Sequence, residues 1–167
     1  RPLYNPRLYA RGRHPSREVM MSGNVVNIGF VGSGYMGQRA HLDCYTHLPN
    51  VKVVALAEGR AETAKTVAKR YGIDHVYPDH KSMLADKNVK IDAIVGITPF
   101  SLHHSFVPDI LNAGKHLLTE KPICIGAEVG TKLDVLAKQK NLVYYVGNMK
   151  RSAPASVYAR DTAQQWK

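Results

Sequence analysis

The sequence predicts a doubly wound α/β domain, a parallel sheet with helices on both faces. Three observations carry this. Short apolar runs recur six times, most of them rich in Val, Ile and Leu, the composition of strands buried on both faces. Segments with helical spacing lie between them, and the connections are short, which makes the strands parallel. Glycine-rich and polar stretches fall where strands end, the edge at which such sheets hold their ligands.

The first strand reads VVNIGFV over 25–31 and runs into Gly32-Ser33-Gly34-Tyr35-Met36-Gly37, a G-x-G-x-x-G set. From 35 to 48 the spacing turns helical. Strand, glycines and helix in that order form the fingerprint of a dinucleotide phosphate loop. Gly32 permits the tight turn, Gly34 lets backbone approach a pyrophosphate, and Gly37 lets the helix pack hard on the strand. Tyr35 and Met36 sit between these glycines in the first helical turn, whose unpaired N–H groups and dipole attract phosphate charge. The second strand, VKVVALA over 51–57, ends at Glu58, 21 residues after Gly37. A carboxylate there hydrogen-bonds the adenosine ribose diol and repels a 2′-phosphate, which favours NAD over NADP. Arg60, two residues on, can stack on adenine or meet a phosphate. Turn glycines and a solvated Glu would account for the same residues without a ligand; the order of strand, glycines, helix, strand and acid weighs against that.

A helix follows over 61–71, with Ala64, Val67, Ala68 and Tyr71 at helical spacing and Gly72 as its stop. His75-Val76-Tyr77 is a short third strand, and Asp79 caps a helix through Leu84. The fourth strand, IDAIVGI over 91–97, ends at Thr98-Pro99, after which Ser101 can cap a helix over 102–112. KHLLT over 115–119 is the fifth strand and leads into Glu120-Lys121-Pro122. A helix over 127–139, a sixth strand over 142–146 and a helix over 155–164 complete the pattern. Four sets of glycine or polar residues, at Gly32–Gly37, Glu58, Thr98-Pro99 and Glu120-Lys121-Pro122, thus converge on one edge of the sheet.

Composition bounds the rest. The 167 residues are one domain's worth of chain, with 44% hydrophobic and 22% charged residues, ordinary for a soluble globular protein. No apolar run approaches the ~20 residues that span a bilayer, so no membrane partner is expected. The net charge of +10 raises the question of nucleic acid, but residues 1–20 hold five arginines against Glu18 alone. Elsewhere 18 basic and 12 acidic residues are scattered, without a basic block interleaved with aromatics, so no nucleic-acid partner is expected either. Residues 1–22 are expected to be a disordered basic segment. It reads as an organelle-targeting stretch or as sequence upstream of the start at Met20-Met21; the three prolines and the missing initiator Met favour the second, and a cytoplasmic location. Cys44 and Cys124 lack metal or redox spacing, and His75, His80, His103 and His104 do not form a zinc pattern, so no metal is expected.

With these residues in view, the chain resembles the Gfo/Idh/MocA oxidoreductases, the relatives of glucose–fructose oxidoreductase and inositol dehydrogenase. The likeness covers about residues 25–151. It rests on the glycine set, Glu58, Thr98-Pro99 followed by His103, and Ala113-Gly114-Lys115-His116 running into Glu120-Lys121-Pro122, the most specific mark. Val146-Gly147-Asn148 with Arg151 and Pro154 is similar to the segment that ends the family's cofactor domain. The resemblance implies a Rossmann domain over 23–150, a bound NAD(P), and hydride transfer at a hydroxyl-bearing carbon of a small-molecule substrate, often a sugar or polyol. It implies that Lys121 lies near the nicotinamide and the substrate hydroxyl, where a cation stabilises a developing alkoxide or relays a proton. It also places His103 on the nicotinamide side. Glu120 can accept hydrogen bonds from the cofactor, and a cis Pro122 would aim Lys121.

Members of the family continue into a second α/β domain that supplies most of the substrate pocket, with a further Asp and His. Residues 151–167 are expected to be the truncated start of the connecting helix, with that domain absent and activity of the chain alone doubtful. The sheet face and the edge past 142–146 would then expose apolar surface and drive self-association. A non-catalytic NAD(P)-binding sensor and an NAD-dependent glycosidase remain as alternatives; Glu120-Lys121-Pro122 argues against a methyltransferase.

Overall fold

The computed structural model describes residues 25–166, so the predicted disordered segment at 1–22 lies outside the described residues. Six strands form one sheet: β1 Val26–Val31, β2 Val51–Ala57, β3 His75–Tyr77, β4 Ala93–Gly96, β5 His116–Glu120 and β6 Tyr144–Gly147. All pairings are parallel and the spatial order is β3-β2-β1-β4-β5-β6. Strand order reverses between β1 and β4, which opens a crevice at their carboxyl ends.

Side chains alternate across the strands and feed two cores. Ile28, Phe30, Val53, Leu56 and Val95 pack with Leu42, Val67 and Ala68 beneath the helices that follow β1 and β2. Val31, Ala55 and Ile94 face the opposite side, with Met83, Phe106, Val107, Ile110, Leu111, Leu133 and Ala137 from the later helices. These later helices are α3 His80–Ala85, α4 His103–Asn112 and α5 Ala127–Gln139; α2 is Ala61–Tyr71 and the last, α6, is Pro154–Gln164. Gly72 ends α2 in the left-handed conformation, and the Asp79 carboxylate accepts from the Ser82 N–H at 2.7 Å, both as the sequence predicts.

Most boundaries fall within a residue of the sequence expectation, and the larger departures have local reasons. Helix α1 runs over 35–45 rather than to 48; Leu48 precedes Pro49, which disfavours helix there. Its middle, Gly37–Leu42, is a π-helical segment, in which the Asp43 N–H reaches back five residues to the Gln38 carbonyl. β4 begins only at Ala93, because the Asp92 side chain takes the Asn27 N–H at 2.8 Å in place of a strand partner. β6 begins at Tyr144: Asn141 is left-handed (φ 53°), and the Leu142 N–H closes back onto the Ala137 carbonyl. Ser101 lies in a 3₁₀ turn, Phe100–Leu102, and its side chain does not cap α4. Among the described residues no helix is long and apolar enough to cross a membrane, and no group of His, Cys, Asp or Glu is arranged to hold a metal.

Candidate functional site

The glycine loop is tied to both strands that flank β1. The Gly32 N–H donates to the Ala57 carbonyl of β2 at 2.9 Å, and the Ile97 N–H, just past β4, donates to the Val31 carbonyl at 2.7 Å. Gly32 has φ +86°, and a Cβ there would strike the Ile97 carbonyl oxygen. A Cβ on Gly37 would strike the Gly32 carbonyl oxygen, which is how α1 comes so close to the loop. Gly34 differs: a Cβ built on it meets nothing within 4 Å. Gln38 braces the turn, donating from Nε2 to the Ser33 carbonyl at 2.8 Å. Tyr35 and Met36 are exposed on the first turn of α1.

Glu58 stands at the end of β2 beside this loop, and both its oxygens are engaged. Ser33 donates to Oε2 from its backbone N–H at 3.0 Å and from Oγ at 2.9 Å. Arg60 clamps the carboxylate in a fork, Nε to Oε1 at 2.9 Å and Nη2 to Oε2 at 2.8 Å, and its N–H reaches Oε1 at 3.1 Å. The Glu58 side chain is 7% exposed and that of Arg60 63%. The Arg60 fork, aided by the Ser33 donors and opposed by burial, holds the Glu58 carboxyl down to about 2. The acid is therefore charged at neutral pH and is paired with a largely exposed guanidinium.

Across the switch point, Thr98 is half-buried and Pro99 exposed. The Thr98 hydroxyl is buried without a hydrogen-bond partner among the described residues. Glu120 closes β5; its Oε2 accepts from the Lys121 N–H at 3.1 Å and its Oε1 from His41 Nε2 at 2.9 Å. Lys121 is exposed, and the Lys121–Pro122 peptide is cis. His103 is wholly buried; its Nδ1 meets the Ile123 carbonyl at 3.0 Å, so it holds the Lys121–Pro122 loop from beneath rather than lining open surface.

The structure thus brings the glycine loop, Glu58 and Arg60 together on one side of the switch point, and Thr98, Pro99, Glu120 and Lys121 on the other. Two residues escape a sequence reading. Ser33 fills an unspecified position of the glycine set, and only its small polar side chain hints that it pairs with the strand-end acid. His41 reaches Glu120 from within a π turn, and no spacing rule signals such a turn.

Fold and site together define a dinucleotide-binding Rossmann domain. Residues 26–148 match the GFO_IDH_MocA family, described as "Oxidoreductase family, NAD-binding Rossmann fold". The chain belongs to this oxidoreductase family. It is 31% identical over 144 residues to a levoglucosan dehydrogenase of Pseudarthrobacter phenanthrenivorans, a match covering 81% of this chain and 36% of the relative. It is 36% identical over 132 residues to an inositol 2-dehydrogenase/D-chiro-inositol 3-dehydrogenase of Lacticaseibacillus casei, covering 76% and 37%. Among solved structures, a scyllo-inositol dehydrogenase from Lactobacillus casei with bound NAD(H) and scyllo-inositol superposes with a TM-score of 0.77 at 27% identity, over 85% of this chain and 42% of that one. A 3-ketoreductase from Actinomadura kijaniata in complex with NADP gives 0.77 at 25% identity, over 85% and 44%. The chain spans less than half the length of these relatives.

The residues fit a dinucleotide. The space outside Gly34 is open, and carboxylates stand at strand ends on either side of the glycine loop.

Proposed function

We propose that residues 23–150 form the cofactor half of a dehydrogenase that binds NAD in preference to NADP and works on a hydroxyl-bearing carbon of a sugar or polyol. The observation that carries the cofactor choice is Glu58, charged and aimed by Ser33 at the rim of the glycine cradle. A ribose diol can take over the carboxylate oxygens, whereas a 2′-phosphate meets like charge. Arg60, mostly exposed, is then released to lie over the adenine. From β2 to β5 the sheet takes three strand steps, ~14 Å in all, room for two nucleosides joined by a pyrophosphate. The adenosine end therefore belongs at Glu58, with Gly32, Gly34, Tyr35, Met36 and Gly37 around the pyrophosphate, and the second nucleoside near Thr98, Pro99, Glu120 and Lys121.

When bound, the nicotinamide ring supplies the hydride acceptor or donor. The exposed Lys121 ammonium, unpartnered among the described residues, stabilises a developing alkoxide and passes its proton on. His103 fixes the loop that carries Lys121. The substrate class is supported by relatives named for levoglucosan and inositols. We also infer that the apolar surface around β6 and α6 drives self-association of the 167-residue chain.

A fluorescence titration with NADH and with NADPH tests the reading, with Glu58→Ala in parallel. NADH should bind more tightly than NADPH, and the substitution should narrow that preference by about tenfold. A chain folded by circular dichroism that binds neither nucleotide, or prefers NADPH, overturns it.

A further inference from the structure

The contact between His41 and Glu120 joins two parts of the site that the sequence keeps 79 residues apart. His41 belongs to α1, the helix whose first turn abuts the glycine cradle; Glu120 ends β5 and begins the loop carrying Lys121. A carboxylate only accepts, so the imidazole Nε2–H is the donor. Both groups are largely shielded from water, with side chains 14% and 21% exposed. Such a bond is stronger than an exposed one, because it is charge-assisted and poorly screened. The imidazole is itself confined, lying nearly parallel to the Tyr45 ring, with centroids 6.5 Å apart. With Oε1 held by His41 and Oε2 by the Lys121 N–H, the Glu120 carboxylate has one orientation.

The backbone of α1 departs from α-helical geometry at the place that bears His41. The π segment Gly37–Leu42 closes its hydrogen bonds over one residue more than an α-helix does, a departure frequent at functional sites. Gly37 is fixed on the glycine loop at one end of this segment, and Leu42 is fully buried in the core at the other. The π turn sets His41 between these two anchors, against β5.

We propose that His41 is a positioning residue. It presents Glu120 to the second ribose of the dinucleotide, and so couples the phosphate-binding helix to the loop of Lys121. This rests on the dinucleotide reading above. It assigns to α1 a part in holding both halves of the ligand: its N-terminus addresses the pyrophosphate, and its second turn addresses the far nucleoside through Glu120.

The test compares ligands that do and do not reach Glu120. ADP ends at the pyrophosphate; ADP-ribose adds the second ribose, and NADH adds the ring. Affinities are measured by calorimetry for the full chain and for His41→Ala, His41→Gln and Glu120→Ala. His41→Ala should weaken ADP-ribose and NADH about tenfold, the worth of one shielded charge-assisted hydrogen bond, and leave ADP unchanged. His41→Gln, whose carboxamide can donate in place of the imidazole, should restore most of the loss. His41→Ala added to Glu120→Ala should cost nothing more. Equal losses for all three ligands would mean a structural role only, and no loss for any would mean no role; either overturns the proposal. Failure of the unaltered chain to bind ADP would instead overturn the dinucleotide reading. Hydrogen exchange without ligand then decides the clamp separately. Amides of 119–125 should exchange faster in His41→Ala and recover in His41→Gln, and unchanged exchange overturns it.

Discussion

At Gly32 and Gly34 the same substitution acts on different things. Alanine at Gly32 meets both a left-handed backbone and the Ile97 carbonyl, so Gly32→Ala should destabilise the fold by about 2–4 kcal/mol. At Gly34 the added methyl points into open space. Gly34→Ala should therefore leave the urea midpoint nearly unchanged and abolish nucleotide binding. Paired denaturation and NADH titration of the two variants check this, and a Gly34→Ala chain that binds normally would mean that the cradle is not where the pyrophosphate lies. Glu58 makes a second residue-scale prediction. Its folded carboxyl is held down to about 2, against an ordinary value of 4.5. Its contribution is thus complete above the ordinary value and is lost as pH falls from about 4.5 towards 2. Glu58→Gln should be less stable at neutral pH by on the order of 1–2 kcal/mol, the smaller end reflecting the solvent around Arg60. The gap should close across that acid window in urea midpoints measured against pH. Glycines and the acid were legible in the sequence because their spacing is a rule of the loop. The Arg60 fork was not, since an arginine two residues past the acid has several partners open to it.

Elements read well where burial has a period. In α4, Phe106, Val107, Ile110 and Leu111 are buried on one face, while His104, Ser105 and Asn112 face water, as does Leu102 in the 3₁₀ turn that leads into the helix. Ile110→Ala should cost about 3 kcal/mol, measured as a lowered urea midpoint, and Leu102→Ala close to nothing. A cost for Ile110→Ala below that of Leu102→Ala would mean that α4 is packed on the wrong face. Strand ends were less legible. The start of β4 depends on the Asp92 side chain bonding a residue 65 positions away, and that of β6 on a left-handed Asn141. Both are contests between side chain and ladder that periodicity does not register. The π segment of α1 is the extreme case, set by docking at both ends and carrying no pattern of its own.

At the scale of the molecule, apolar side chains stand exposed on β6 and on the segments before and after it in the chain. Ile125, Val143, Tyr145, Met149, Tyr158 and Trp166 are all more than half exposed. Such surface favours association. Sedimentation velocity of the 167-residue chain over a dilution series should show a mean coefficient that rises with concentration, and a single invariant monomer peak would count against it.

The lacing of the glycine loop, described above as a pair of hydrogen bonds, also sets when the cradle can exist during synthesis. One bond comes from Ala57 and the other from Ile97, 25 and 65 residues after Gly32. A nascent chain that has left the ribosome only through β3 carries the whole fingerprint with half of its lacing. The second bond needs β4 beside β1, and β4 follows β2 in the chain only after α2, β3 and α3. Competence to hold a nucleotide is then a property of the finished sheet. A chain split between α2 and β3 would regain it only by complementation of the two pieces.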